Sequence, residues 1–555
     1  MYIRRKEKKC MEISELTIEN LVREVGCAFA AMLRDNPYEI VRNKLELSLR
    51  VKFKSELRSA LKACSVGDIQ AKKYIKEHIK ELLVQRFSIQ EHNIEKLIPF
   101  TYEERLSVQE KFDILLYMYS KKHGIKAFEE LLVAYNLDCP KRDELGESFY
   151  EITEDEIAEV YACEGFIQLN FMDKLELLAQ RIYQEYKGNG VLDNLREMKI
   201  DGLSGGVSGR AFHESIWVFY MGKSIHLSFL KFSSQTEFIR VCKNIYRYNQ
   251  PGQLSQMKGY IVNDMMDGSR VSVARPPFCE SWVFFIRKFD VPENLCLESL
   301  LKDRNNCLPI ALLQWIIKGN QVTAITGEQG SGKTTLLMAV VRYIKPSFNI
   351  RVQELAFELN LRRLYPQRNV VTFRETANIS GQEGLDFQKK SDGAVNILGE
   401  VASHDVASWL IQISQVASQF TLFTHHAKTT EDLILSLRNS LLQAGGFSNE
   451  IVAKEQVINA IRFDVHMKKE LNGHRYIERI SEIIDYSKIE KNGVNSAKVN
   501  YELRNIIVCE DGEYKMRNRM SEQSKQLILS QLSREEKALF LREIMEWEES
   551  FEKKL

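Results

Sequence analysis

The segment Val322-Thr-Ala-Ile-Thr-Gly327-Glu328-Gln329-Gly330-Ser331-Gly332-Lys333-Thr334-Thr335 decides how the rest of the chain is interpreted. It matches the pattern G-x-x-x-x-G-K-[ST] without departure, and it lies between a short apolar run and a stretch of helical character. Glycines at these positions let the backbone fold with its N–H groups pointing inward, and the first turn of a helix adds a partial positive charge. The segment therefore predicts a loop that holds phosphate groups.

Residues 327–335 form the predicted nucleotide-binding loop, with Mg²⁺ as the accompanying metal ion. Lys333 would supply a positive charge to the β- and γ-phosphates, and the hydroxyl of Thr334 would ligate Mg²⁺. Hydrolysis also needs a carboxylate at the end of a neighbouring strand, where α/β sheets place their ligands. Glu400 follows the apolar run Ala394-Val-Asn-Ile-Leu-Gly399 and meets this requirement. It would accept a proton from the attacking water or hold a metal-bound water.

Three further polar side chains follow predicted strands of the same region. Glu354 ends one strand and Glu358 comes one helical turn later, so each is either a second acid at the Mg²⁺ or only a charge at a helix start. His426 follows another strand, where a single histidine is more often structural than catalytic. The segment Thr424-His425-His426 offers too few ligands for a metal site. The sequence leaves the roles of these three residues open.

Short apolar runs alternate with helical patterns between about residue 300 and residue 485. This alternation predicts an α/β fold with a mostly parallel sheet and helices on its faces. The predicted strands are Gln321–Thr326, Asn349–Glu354, Val370–Phe373, Ala394–Leu398 and Phe420–Thr424. Two later runs, Arg462–Met467 and Tyr476–Ile484, predict a hairpin with Asn472-Gly473 in its turn.

Changes in composition predict five segments. Residues 1–150 are helical and have no assigned role, and residues 151–210 form a helical connector that ends in a Gly/Ser-rich linker. The linker, Asp201–Gly209, lacks the Lys-Ser/Thr ending of a phosphate loop and is interpreted as a flexible turn. Residues 211–298 form a small α+β domain, 299–485 the α/β domain and 486–555 a mixed, partly helical segment.

Composition excludes several classes of protein. The chain has 555 residues, and 77 Lys and Arg balance 76 Asp and Glu to a net charge of +1, which argues against a protein built for nonspecific nucleic-acid binding. Ten dispersed cysteines without a C-x-x-C spacing predict reduced thiols in a cytoplasmic protein. No apolar run approaches the ~20 residues that span a bilayer.

The order of motifs resembles the secretion-ATPase superfamily of type II secretion, type IV pili and type IV secretion, and is most similar to the tight-adherence (Tad/CpaF-type) pilus-assembly ATPases. The resemblance extends from about Asp173 to Leu529. The segments that carry it are Asp267-Gly-Ser-Arg270, Arg275-Pro-Pro, Phe285-Ile-Arg287-Lys-Phe289, Gly327–Thr335, Ile397-Leu-Gly-Glu400-Val and Thr424-His-His426-Ala with the following helix.

The resemblance implies a RecA-like P-loop domain, preceded by a small PAS-like domain and a helical N-terminal domain. It implies that Glu400 serves the lytic water, that Glu354 and Glu358 belong to an acidic box, and that His426 senses the γ-phosphate. Arg270 and Arg287, from the small domain, would act as arginine fingers; by spacing alone they read as surface residues of strands. From the residues alone, Glu400 is alternatively an exposed glutamate at a strand end, and His426 is alternatively a structural histidine.

The resemblance also implies an assembly and a place of action. The chain would form a hexameric ring with ATP between its two domains, powering assembly of a Tad or type IV-like pilus or type II/IV secretion. An inner-membrane platform protein would be its partner, and the ring would be cytoplasmic, held at the inner face of the membrane by protein contacts. No specific nucleic acid is expected as a partner.

Three departures from the family pattern predict slow turnover. Ala402 stands where the family usually has arginine, Leu355 replaces the second acid of the acidic box, and Ser391-Asp-Gly-Ala394 replaces a basic segment. Fewer cations would then stabilise charge at the γ-phosphate. Two alternatives stay open: an ATP-binding ring scaffold with little or no hydrolysis, and a RecA-like nucleic-acid translocase.

Overall fold

Two compact units, Met1–Asp290 and Val291–Leu555, make up the chain. The structure is a computed structural model, and it describes residues 16–35, 44–165, 167–209, 211–249, 251–289, 295–376, 379–416, 418–470, 473–486 and 501–552. Each unit has its own sheet and its own hydrophobic core. No helix of the described residues has both the length and the apolar character that crossing a membrane requires.

The first unit combines helices with an eight-stranded sheet of order β1-β2-β5-β4-β3-β8-β7-β6. Its strands are β1 Lys141–Arg142, β2 Ser148–Ile152, β3 Gly202–Gly205, β4 Ile216–Tyr220, β5 Lys223–Leu227, β6 Tyr260–Asp264, β7 Arg270–Ala274 and β8 Val283–Arg287. Its helices are α1 Ile18–Arg34, α2 Lys44–Ala63, α3 Ile69–Gln85, α4 Glu91–Ile94, α5 Val108–His123, α6 Ala127–Tyr135, α7 Glu154–Cys163, α8 Phe171–Tyr186 and α9 Gln235–Ile245.

The prediction of a flexible linker at Asp201–Gly209 is wrong for residues 202–205. Residues 202–205 form β3, a buried strand in the interior of the sheet between β4 and β8. The glycines are needed there because the neighbouring strand lies too close for a side chain. A Cβ on Gly202 would lie 2.4 Å from the carbonyl oxygen of Ile286, and one on Gly205 would lie 2.4 Å from the Phe284 ring.

One cluster of buried side chains extends from Leu21 to Ile286. In addition, β2 pairs in parallel with β5, so residues near 150 belong to the same sheet as the later strands. The predicted boundaries at residues 150 and 210 therefore do not separate independent cores. The PAS-like character of the small domain stays a prediction.

The second unit is built on a nine-stranded sheet of order β11-β10-β12-β13-β9-β14-β15-β16-β17. Its strands are β9 Thr323–Gly327, β10 Ile350–Glu354, β11 Val370–Arg374, β12 Val395–Leu398, β13 Phe420–His425, β14 Phe463–Lys469, β15 Arg475–Asp485, β16 Tyr501–Glu510 and β17 Glu513–Met516. Its helices are α10 Leu297–Leu300, α11 Cys307–Lys318, α12 Lys333–Val340, α13 Leu361–Leu364, α14 Gly381–Gln388, α15 His404–Val416, α16 Thr430–Gln443, α17 Glu450–Ala460, α18 Glu522–Gln531 and α19 Arg534–Glu552.

The strands from β11 to β14 in this order are parallel, and the remaining strands are antiparallel. Successive residues of β9 enter different cores, Ala324 on one face and Ile325 on the other, as expected for a sheet covered on both sides. The RecA-like α/β prediction is confirmed. The late hairpin is confirmed as β14 and β15, with Gly473 between them; Asn472 lies outside the described residues.

The segment predicted to follow the α/β domain is part of its framework. β16 and β17 extend the same sheet, and Phe540 and Ile544 of α19 lie in the core shared with β9. Residue 485 is therefore not the end of a separate core.

Candidate nucleotide-binding site

Three neighbouring parallel strands bring the predicted site residues to one edge of the second unit. In the sheet, β13 lies between β9, which leads into the phosphate loop, and β12, which leads to Glu400. His425 of β13 pairs with Thr326 of β9, and Leu398 of β12 pairs with Phe423. Because the strands are parallel and in register, the loops that follow them emerge side by side.

The phosphate loop has a backbone that only glycine adopts without strain at three positions. The φ angles of Gly327, Gly330 and Gly332 are 139°, 76° and 97°. A Cβ on Gly327 would also lie 2.2 Å from the carbonyl oxygen of Met467. Helix α12 begins at Lys333, directly after Gly332, so the loop ends on a helix N-terminus.

The side chains of the loop differ in exposure. Glu328 and Gln329 are exposed, Thr334 and Thr335 are partly buried, and Ser331 is fully buried. The hydroxyl of Ser331 has no hydrogen-bond partner among the described residues. A buried donor of this kind, beside inward-facing loop backbone, fits an anionic ligand.

Lys333 is 7% exposed and crosses back over the loop. Its Nζ donates to the carbonyl oxygens of Gly327 at 2.9 Å and Glu328 at 2.8 Å. Burial lowers the pKa of Lys333 to about 8, against the opposing attraction of the Glu400 carboxylate. The ammonium is therefore charged at neutral pH and is held at the loop itself.

His426 lies between Lys333 and Glu400. Its Nδ1 is 3.4 Å from the Lys333 Nζ, and its Nε2 is 3.2 Å from Oε1 of Glu400. The first contact is a hydrogen bond in which Nδ1 accepts from the ammonium, and the second is a close polar contact with the carboxylate. The structure thus brings together three residues that follow three different strands in the sequence.

The neighbouring His425 has a different environment. Its Nδ1 is 3.2 Å from the carbonyl oxygen of Val401, and its Nε2 is 3.0 Å from Oγ of Ser436. Because a carbonyl oxygen only accepts hydrogen bonds, the ring proton of His425 lies on Nδ1. Burial lowers the pKa of His425 below its ordinary value. His425 therefore fixes the backbone that carries Glu400 rather than facing the loop.

Glu354 ends β10, beside the turn that carries Glu400. Its Oε2 accepts from the backbone N–H groups of Glu358 and Leu359, both at 2.8 Å. A Cβ on Gly399 would lie 3.0 Å from the Glu354 Cγ. Glu354 is 4% exposed, and its Oε1 is buried without a partner among the described residues. The next helix along the chain, α13, begins at Leu361, so neither Glu354 nor Glu358 is a charge at the start of a helix.

Burial raises the pKa of Glu354 from 4.5 to about 8, although the two backbone N–H groups act in the opposite direction. The folded chain then holds a proton that the unfolded chain releases between these pH values, so the free energy of unfolding falls as pH rises through this window. We expect Glu354→Gln, which is neutral at every pH, to unfold at a temperature several degrees above that of the unchanged protein at pH 8, with the difference shrinking towards pH 5. Thermal unfolding at the two pH values measures this.

Glu455→Gln, a substitution on partly exposed α17, is the control and should leave the two unfolding temperatures nearly unchanged. Equal stabilisation at pH 5 and pH 8 by Glu354→Gln would contradict the titration argument.

The residues at this edge fit Mg²⁺. Thr334 offers a hydroxyl at the start of α12 and Glu400 offers a carboxylate, and the unpartnered Oε1 of Glu354 becomes a further anionic oxygen when that residue loses its proton. No group of three or more His, Cys, Asp or Glu in the described part of the chain is arranged to hold a metal ion. Mg²⁺ typically takes one or two protein ligands and completes its shell with phosphate oxygens and water, which suits this donor set.

A buried hydrogen-bond network behind the loop escaped sequence analysis. Asp464 of β14 accepts from Oγ1 of Thr326 at 2.6 Å and from Oγ1 of Thr430 at 2.7 Å. It thereby joins the end of β9 to the start of α16, the helix that follows the His426 loop. Burial raises the pKa of Asp464. In the sequence, Asp464 is visible only as an acid within the apolar run 462–467. This position does not indicate which residues it bonds to.

Arg270 and Arg287 lie in the first unit, on neighbouring strands. They face each other in the register of β7 and β8, Arg270 partly buried and Arg287 exposed. Like charges directly opposite each other are unfavourable in a sheet, but Arg270 also pairs on its other side with Asp264 of β6, which offers an opposite charge. Their contact with the nucleotide stays a prediction.

Comparisons with known proteins give no family by sequence: no family model matches the chain, and no curated protein matches it. Solved structures do match. The VirB11 ATPase of the Brucella suis type IV secretion system, in complex with sulphate, is 18% identical with a TM-score of 0.29, and the match covers 51% of this chain and 89% of that one.

Two further solved structures match the chain. The Legionella pneumophila ATPase DotB is 16% identical with a TM-score of 0.38, over 52% of this chain and 78% of that one. The pilus retraction motor PilT with bound ADP is 13% identical with a TM-score of 0.39, over 64% of this chain and 88% of that one. At these identities and TM-scores the function has to be argued from the residues of the site.

Proposed function

We propose that the chain is an ATPase of the secretion-ATPase type, which binds ATP with Mg²⁺ in the loop 327–335 and hydrolyses it with Glu400. The observation that carries the proposal is the contact chain from Lys333 through His426 to Glu400. It joins the phosphate loop to an acid on a separate strand, which is the arrangement that phosphoryl transfer to water needs.

Each residue has a part in the reaction that follows from its position. The loop N–H groups and the start of α12 hold the phosphates, and the Lys333 ammonium adds a full positive charge. The Glu400 carboxylate accepts the proton of the attacking water, while His426 holds that carboxylate and connects it to the loop. Mg²⁺, when bound, neutralises developing charge on the phosphate oxygens.

The proposal extends to an assembly. The chain would act as a hexamer in which Arg270 and Arg287 meet the nucleotide, and hydrolysis would move the first unit against the second. The ring would work at the cytoplasmic face of the inner membrane, on a platform protein of a pilus or secretion apparatus. Support comes from the resemblance of the sequence motifs, which also favours the tight-adherence subtype.

A scaffold that binds ATP without turnover is the second candidate. Leu355 is 47% exposed, and Ala402 is exposed, at positions where a second acid and an arginine would assist hydrolysis. The site then retains the loop that binds phosphate but has fewer charged groups around the reaction.

Phosphate release from ATP with Mg²⁺ separates these candidates. We expect the purified protein to release inorganic phosphate above a matched sample without protein. Tight ATP binding with no release would instead identify the scaffold, and release that rises several-fold on addition of DNA or RNA would identify a nucleic-acid translocase.

A further inference from the structure

Arg475, the first residue of β15, lies against the phosphate loop on the flank away from Glu400. Its Nε donates to the carbonyl oxygen of Gly330 at 2.9 Å. A Cβ on Gly332 would lie 3.4 Å from the Arg475 Cδ. The side chain therefore runs across the loop, over two glycines with positive φ.

The remaining N–H groups of the Arg475 guanidinium have no partner among the described residues. Nε is used to anchor the group, and guanidinium presents its other donors in a planar fork that matches phosphate oxygens. An anchored cation at the edge of a loop that binds anions is thus available to a ligand of that loop.

The strand that carries Arg475 is held in place on both sides of it. His474 contacts Asp303 at 3.0 Å between Nε2 and Oδ1, and its ring stacks on Tyr476 at 5.5 Å between centroids. Arg475 also pairs with Lys469 in the register of β14 and β15. A side chain on a fixed strand positions a ligand better than one on a loose loop.

The order of the strands indicates which phosphates are within reach. In the sequence β12-β13-β9-β14-β15, Glu400 and His426 lie on one side of β9, and Arg475 lies on the other. The γ-phosphate has to lie on the side of Glu400, where water attacks it. Arg475 therefore faces the part of the nucleotide that ADP and ATP share.

We propose that Arg475 binds the diphosphate common to ADP and ATP, within the same chain, and so sets nucleotide affinity rather than the rate of hydrolysis. This inference rests on the proposed function of the loop. It differs from the arginine-finger role of Arg270 and Arg287, because a finger acts on the γ-phosphate in the transition state and alters kcat.

The test is nucleotide binding and steady-state hydrolysis by Arg475→Ala in the full chain. We expect the Kd values of ADP and ATP to rise about tenfold each, the KM for ATP to rise in parallel, kcat to stay within about twofold, and AMP binding to be unchanged. The Kd values of Arg475→Lys should lie between those of the unchanged protein and those of Arg475→Ala, since lysine retains the charge but lacks the planar pair of donors of a guanidinium.

Arg504→Ala, on β16 of the same sheet, is the matched control; Arg504 pairs with Glu502, and its loss should leave both Kd values unchanged. Thermal unfolding of each variant confirms that it is folded. Unchanged ADP affinity, a fall in kcat alone, or an equal loss of AMP binding would overturn the assignment. Failure of the unchanged protein to bind either nucleotide would instead refute the proposed function, whereas binding without hydrolysis leaves the affinity test intact.

Discussion

Lys333→Ala should lower the rate of ATP hydrolysis by at least about a hundredfold, the loss typical of removing one pre-positioned charge from a reacting centre. The ammonium lies at the loop, 2.9 Å from the Gly327 carbonyl oxygen, and contacts the histidine that holds Glu400. No other cation of the described residues makes both contacts. Alanine removes the charge from the phosphates and removes the link between the loop and the proposed base Glu400. Phosphate release under saturating ATP measures the effect.

The matched control is Lys389→Ala, at the end of α14, where the lysine pairs with Asp386 at 3.2 Å on the surface. It should hydrolyse ATP at the rate of the unchanged protein. Thermal unfolding shows whether Lys333→Ala is folded, because its loss also leaves two loop carbonyl oxygens without their donor. Full activity in a folded Lys333→Ala variant would refute the assignment of the site.

Local patterns predicted the centre of the site because its chemistry is local. The loop 327–335 and the apolar runs before Glu400 and His426 each carry their signal within ten or so residues, and parallel pairing then brings their ends together. The sequence singled out His426, and the structure distinguishes it from His425, whose ring is bonded to Val401 and Ser436.

Long-range contacts account for what the sequence did not reveal. Arg475 contacts Gly330 across 145 positions of the chain, and Asp464 contacts Thr326 across 138, so neither has a local pattern. The strand at Gly202–Gly205 was missed for a different reason. Strand prediction depends on bulky side chains, and here the close approach of Ile286 and Phe284 excludes them.

Glu400→Gln should bind ATP but hydrolyse it at least about a hundredfold more slowly, at the lower end of what a general base contributes. Glutamine has the same shape as glutamate, and its amide oxygen can keep the polar contact with Nε2 of His426, so the loop beyond Gly399 should retain its geometry. It cannot take the proton of the attacking water. Loss of one negative charge near the phosphates should also make ATP binding equal or slightly tighter.

Binding of ATP and release of phosphate have to be measured on the same preparation, because the two should diverge in this variant alone. Glu431→Gln, exposed in the first turn of α16, is the control and should match the unchanged protein in both. If Glu400→Gln hydrolyses ATP at the normal rate, Glu400 is not the base. Glu354 would then be the remaining candidate, because its Oε1 is buried beside the Gly399 turn without a hydrogen-bond partner among the described residues.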